Sequence, residues 1–167
     1  DPYLTYRLIE PDYEVWNKIQ IRQRCVENWK ETILTDHHLQ ENRCMNCHAF
    51  GNQNPNLSMV YVRGEDGGAI LNRNGKLRKL NLKTANMVSS SVYYGFDPSG
   101  RYVTFSTNII IPAFHANPDK RLEVYDSKSD VYVADLDNNI IISSPLTSDS
   151  TKLETFPTFS SNGRYIY

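Results

Sequence analysis

Gly95-Phe96-Asp97-Pro98-Ser99-Gly100-Arg101-Tyr102-Val103-Thr104-Phe105 decides how the chain is read, because Thr158-Phe159-Ser160-Ser161-Asn162-Gly163-Arg164-Tyr165-Ile166-Tyr167 nearly repeats it. Each copy runs from strand residues into a polar turn that closes on Gly, then through Arg-Tyr into an apolar strand. Asp, Pro, Ser and Gly favour the turn, and the apolar residues beside it favour strands. Gly100 and Gly163 are 63 residues apart. A propeller blade takes about 40 to 50 residues. The excess fits an insertion at Ile109 to Arg121, which holds Pro112, Phe114, His115 and Pro118. Insertions in repeat folds tend to fall on one face, often the functional one.

Working outward, the chain from Leu57 onward reads as β throughout. Leu57 to Arg63 is a predicted strand. Ala69 to Arg73 and Lys76 to Leu82 make a predicted hairpin around Asn74-Gly75, a strong turn signal. Val92 to Phe96, Arg101 to Ser106, Leu122 to Tyr125, Asp130 to Asp135 and Ile140 to Ser143 continue the run, with Asp137-Asn138-Asn139 as the last turn. Residues 1–56 differ: they hold all three cysteines, both tryptophans and three of the four histidines. Glu10-Pro11-Asp12 predicts the start of a short helix carrying Val15, Trp16 and Ile19 on one face. Ile19 to Cys25 predicts a strand, and residues 35–56 a loop with at most one helical turn. The expected fold is all-β: antiparallel blades of a partial β-propeller over 57–167, after a short helical or loop segment over 1–56. Two blades and part of a third are fewer than the four to eight a propeller uses. The chain is therefore expected to be a piece of a longer protein.

Composition narrows the function. Hydrophobic residues make up 40% and charged residues 22% of 167, an ordinary globular balance. A net charge of -1 without a long run of one sign does not indicate a nucleic-acid partner. No apolar stretch reaches the roughly 20 residues of a membrane span. Eleven Tyr and six Phe favour strands. The acidic pairs Glu65-Asp66 and Asp135 with Asp137 belong to turns, and no catalytic constellation of side chains emerges.

The chemistry concentrates in Cys44-Met45-Asn46-Cys47-His48. This is C-x-x-C-H, the attachment pattern of a c-type haem. Two thiols at this spacing each form a thioether to one haem vinyl group, and the following histidine supplies a nitrogen to the iron. Three other readings compete: a redox disulfide, a zinc site completed by His37 or His38, and unmodified loop residues. A disulfide oxidoreductase would need a βαβ pattern that is absent. For the sixth position on the iron, His115 is the first choice as the one histidine outside the N-terminal segment. Met59 is the second choice, and Met87, His37 and His38 follow. His/Met ligation raises the potential relative to His/His, and an open position would permit small-molecule chemistry. Cys25 is expected to be a small buried hydrophobe.

Phe96-Asp97-Pro98-Ser99-Gly100-Arg101-Tyr102-Val103 resembles the PD40, or WD40-like, repeat of TolB-like β-propellers. Together with Tyr6-Arg7-Leu8-Ile9-Glu10-Pro11, the segment Cys44 to Phe50 and the stretch Asn72 to Lys83, it is similar to PD40 propellers with a single C-x-x-C-H site, of the kind common in Bacteroidota. Phe114-His115 and Glu123-Val124-Tyr125-Asp126 also resemble a segment of that group. Ser160-Ser161-Asn162, where Asp-Pro-Ser would stand, departs from the pattern. The resemblance implies an exported, periplasmic or cell-surface propeller with one covalent haem c and its iron.

The expected function is electron transfer or redox sensing with a redox partner protein, without organic catalysis by side chains. The competing expectation is a module that binds a protein or glycan, with the haem as a structural staple. A peroxidase-like haem enzyme is a third, if the sixth position is open.

Overall fold

The computed structural model describes residues 2–9, 18–39, 44–116 and 122–167. The architecture is all-β, in three antiparallel sheets. β1 (Tyr3–Leu8), β2 (Gln20–Cys25) and β3 (Glu31–Asp36) form the first, in that order. β4 (Met45–Phe50), β5 (Leu57–Val62), β6 (Gly68–Arg73) and β7 (Lys76–Leu80) form a four-stranded meander. β8 (Ser91–Phe96), β9 (Tyr102–Phe114), β10 (Leu122–Asp135) and β11 (Ile140–Ile142) form a second. A further hairpin follows, in which Thr158 and Tyr167 exchange backbone hydrogen bonds of 3.0 and 2.9 Å.

Turn chemistry builds these units. Asn74 and Gly75 both take positive φ, 55° and 80°, as a tight hairpin turn with right-handed strand twist requires. Asp97 organises the β8–β9 turn: its carboxylate accepts the Ser99 N–H at 3.0 Å and the Tyr102 N–H at 2.7 Å. Ser160 replaces it in the last hairpin, where its Oγ accepts the Tyr165 N–H at 3.0 Å. The repeat thus keeps the hydrogen bond while changing the acceptor.

Alternation puts two cores on the two faces of the first meander. Met59, Tyr61 and Leu71 face the second meander and pack with Val103, Phe105 and Tyr132. Phe105 is fully buried, stacked on Tyr132 at 5.9 Å between ring centroids. Val60, Val62 and Ile70 face the other way and meet Ile19, Cys44 and Met45. Ile19 and Ile21 from the N-terminal segment are buried, so the three-stranded sheet covers this second face.

Three expectations change. Among its described residues the N-terminal segment is a three-stranded sheet rather than helix and loop, with a 3₁₀ turn at His37–Leu39 before the motif; the strand expected over Ile19 to Cys25 is β2. Its outer strands β1 and β3 escape the apolar-alternation test because they are largely exposed. β3 is tied to β2 instead by side chains: Arg22 and Arg24 both donate to the Glu31 carboxylate. These bonds hold that carboxyl down at about 2. The helix expected from Glu10 through Val15 and Trp16 lies outside the described residues. The stretch 45–50, expected as loop, is strand β4. The insertion is, over its described residues, no separate loop: β9 and β10 run on as a paired arm, with a register shift between Asp126 and Lys128. Ile109, Ile111, Phe114, Val124 and Tyr125 are exposed on that arm. Cys25, 1% exposed, is the buried hydrophobe expected.

Candidate functional site

The C-x-x-C-H motif lies on β4, where a bulge shapes it. Met45 pairs with Val62 and Asn46 with Tyr61, but the next pair is Ala49 with Met59. Cys47 and His48 therefore share the space opposite Val60. A bulge turns its side chains off the ordinary alternation. Cys47 takes φ 53°, a left-handed conformation that costs a non-glycine residue on the order of 1 kcal/mol. Cys44 is buried with Ile19, Met45 and Val62, whereas Cys47 packs against the core between the meanders. Both thiols are free. Burial pushes both above their ordinary range; the Arg63 and Arg7 charges act weakly the other way.

The N-terminal sheet braces this strand. The Arg7 guanidinium donates to Asn46 Oδ1 at 2.5 Å and to the Met45 carbonyl at 3.4 Å. Thr35 Oγ donates to Met45 Sδ at 3.7 Å from β3. Arg7 and Thr35 both pair with Ile21, one residue on each side of it across the sheet. This row spans the two central residues of the motif. His48 is half-buried, with its ring 6.2 Å from that of Phe50 in edge contact. Burial lowers its pKa, with the Thr5 backbone beside it acting in the opposite sense. The net shift favours the neutral ring, the form that offers a nitrogen lone pair to a metal.

The bulge recurs. β8 skips register between Val92 and Gly95, so Tyr93 and Tyr94 share the space opposite Phe105. Tyr93 has φ 55°, and so does Phe156, three residues before Phe159 in the last hairpin. Cys47, Tyr93 and Phe156 each stand three residues before a phenylalanine: Phe50, Phe96 and Phe159. They hold one position of the repeat: Cys47 and Tyr93 on the bulged strands β4 and β8, and Phe156 at a bend before the last hairpin. β4 lies beside β8. A Cβ on Gly95 would sit 2.9 Å from the Pro157 carbonyl oxygen, so β8 in turn lies beside the last hairpin. The Tyr93 and Phe156 rings touch at 4.3 Å. The Tyr93 backbone acts to lower the Cys47 pKa, against the effect of burial. The spaced phenylalanines carried this signal in the sequence.

The remaining candidates are scattered. His115 stands at the end of the β9–β10 arm, its Nε2 3.0 Å from the exposed Glu123 carboxylate. At ~3.3 Å per strand residue, it lies more than 20 Å along β9 from Thr107, the residue paired with Ser91. Met59 is a core side chain, 1% exposed, paired with Ala49 next to His48. Met87 is also buried, and its Sδ accepts the Thr84 N–H at 3.3 Å. His37 and His38 stack on each other at 3.8 Å, and His38 Nδ1 is 3.2 Å from Asp36. Among the described residues, the one trio of His, Cys, Asp or Glu side chains with ligand atoms within 4.8 Å of one another is Asp36, His37 and His38. Cys44, Cys47 and His48 are not drawn into such a set, as a zinc site shared with His37 or His38 would need.

The residue types are those a covalent haem takes, two thiols outside any disulfide at C-x-x-C spacing and a half-buried imidazole directly after them, although Cys44 and Cys47 pack into different cores. Comparison of the chain with protein-family models and with curated proteins returned no match.

Proposed function

We propose that the chain carries one c-type haem, linked through Cys44 and Cys47 with His48 as proximal ligand, and serves electron transfer or redox sensing outside the cytoplasm. The observation that carries this reading is the intact Cys44-Met45-Asn46-Cys47-His48 pentapeptide with both thiols free. Two meanders joined through one core, plus the start of a third repeat, support a partial propeller as the scaffold. A redox partner protein completes the proposal.

When bound, the haem supplies one-electron chemistry between ferrous and ferric iron. The chain supplies the rest. Arg7 and Thr35 fix the two residues between the cysteines, which sets where the thiols stand. Burial disfavours the protonated form of His48, which lowers the cost of freeing a nitrogen for metal. Arg7 and Arg63, whose charges reach both thiols, oppose added positive charge at the site. That favours the reduced state and raises the potential. Of the two first candidates for the sixth position, Met59 is the one paired beside the motif, opposite Ala49, whereas His115 stands at the far end of the β9–β10 arm.

A second reading has one observation of its own. The β9–β10 arm exposes Phe114, Val124 and Tyr125, an apolar surface of the type that marks a partner site. There the haem would be a staple under a protein- or glycan-binding module.

The test is intact mass and a visible spectrum after export through haem-maturation machinery, beside C44A/C47A. The expected result is a coloured protein heavier by one haem, with the colour lost in the double variant. An unmodified mass from competent cells overturns the reading. A low-spin spectrum is expected, and a high-spin one would favour haem enzyme chemistry instead.

A further inference from the structure

We propose that Tyr93 packs against the haem carried on Cys47 and acts as a positioning residue for it. The inference rests on the haem reading above and adds the residue that would face the cofactor from the neighbouring sheet.

The argument uses the repeat as a ruler. Cys47, Tyr93 and Phe156 share a positive φ of 53°, 55° and 55° at one position of the repeat, on β4, on β8 and just before the last hairpin. These segments lie side by side in that order. Where the position is occupied by rings, each side chain meets the next: Tyr93 and Phe156 are 4.3 Å apart between centroids. The same step from Cys47 leads to Tyr93, because β4 lies beside β8. A planar group attached at Cys47 Sγ thus extends toward the Tyr93 ring, as the Tyr93 ring extends toward Phe156.

Exposure supports the same occupant. Tyr93 is half-buried and Phe156 is 62% exposed, so the two rings form an aromatic ledge beside the motif. A porphyrin face is large, flat and apolar, and it gains from offset contact with such rings. The ledge begins at the attachment residue itself, and this is what selects a tethered haem over a free ligand as its occupant. Covering the haem on that side excludes water, which disfavours the more highly charged oxidised state.

The left-handed backbone dictates the variant. Asn tolerates positive φ better than other non-glycine residues, so Tyr93→Asn removes the ring with little backbone penalty. Matured wild type, Tyr93→Asn, Tyr93→Phe and Phe156→Asn are compared by Soret circular dichroism and midpoint potential, with intact mass confirming attachment. Tyr93→Asn is expected to carry haem yet weaken the Soret signal and lower the potential. Tyr93→Phe is expected to restore both, because the ring makes the contact. Phe156→Asn, one sheet further along, is expected to change neither. Unchanged signals in a haem-loaded Tyr93→Asn overturn the packing. Equal changes in Tyr93→Asn and Phe156→Asn also overturn it, since the substitutions would then act through the bulge. A colourless wild type instead overturns the haem reading, and this inference with it.

Discussion

The two four-stranded meanders share a backbone plan and differ in what they place on it. Both begin with a bulged strand, and in both the bulge opposes one residue of the second strand: Val60 in the first, Phe105 in the second. In the second meander the bulge holds Tyr93 and Tyr94, and the residue opposite anchors the core. In the first it holds Cys47 and His48, and the opposite residue is a smaller, half-buried Val60. The bulge is therefore a structural socket that accepts rings or reactive side chains alike.

The largest expected effect tests whether the socket bears weight in one meander and function in the other. Phe105→Ala removes a fully buried ring that touches Tyr94 and Tyr132, and should cost about 3–5 kcal/mol. Val60→Ala, at the matching place, should cost about 1–2 kcal/mol. Urea unfolding with an unchanged slope measures both. Equal costs would mean that the first meander depends on its bulge pairing as much as the second does.

The same contrast explains what the sequence discloses. Asn74-Gly75 and Asp97 to Gly100 are legible because a turn's chemistry is local: positive φ and a side-chain acceptor are properties of a few residues. β5 to β8 and the first half of β9 followed from alternation between such turns, whereas the run of β9 on to Phe114 did not. β4 did not, because its bulge breaks the two-residue period at Cys47-His48 and its remaining residues are Met, Asn, Ala and Phe. The first copy of the repeat was hidden for a second reason. Its turn, residues 51–56, is one residue longer than 97–101 and lacks Gly-Arg-Tyr. β1 and β3 are largely exposed, and β3 is tied to β2 by Arg22, Arg24 and Glu31 rather than by an apolar face, so no hydrophobic pattern reports them. For the candidate site, the motif itself was legible. The covering sheet and the row from Cys47 to Phe156 were not, because they join residues that are distant in sequence.

A middle-sized effect sharpens the comparison at the residue after each bulge. The first meander has Ala49 there and the second has Gly95. A Cβ on Gly95 would lie 2.9 Å from the Pro157 carbonyl oxygen and 3.2 Å from Thr104 Cγ2. The backbone of the last hairpin must shift to admit it. Gly95→Ala should therefore destabilise by about 1–3 kcal/mol. Ala49→Gly should cost about 0.5–1 kcal/mol, through lost backbone restriction alone. Thermal unfolding of the pair decides the point: a neutral Gly95→Ala would show that the last hairpin does not press on β8 as Gly95 implies.

The smallest effect concerns the turn that ends each meander's third strand. In the first, the neutral Asn72 caps the turn by accepting the Gly75 N–H at 3.0 Å. In the second, Asp135 does this work with a charge, accepting the Asp137 and Asn138 N–H groups at 3.1 Å and the Arg101 guanidinium at 2.6 Å. Arg101, then Asn138, hold the Asp135 carboxyl well below the ordinary carboxylate range. A carboxyl depressed in the folded state stabilises fully above its unfolded value of about 3.9. That contribution drains away as pH falls from there toward the folded value. Asp135→Asn should thus lower the unfolding midpoint at pH 7 and flatten its fall between about pH 4 and pH 2. Asn72→Ser, which substitutes one neutral acceptor for another, should shift the curve without changing its pH slope. Parallel acid curves for wild type and Asp135→Asn would assign acid sensitivity elsewhere, with the Glu31 carboxyl between Arg22 and Arg24 as the next group to replace.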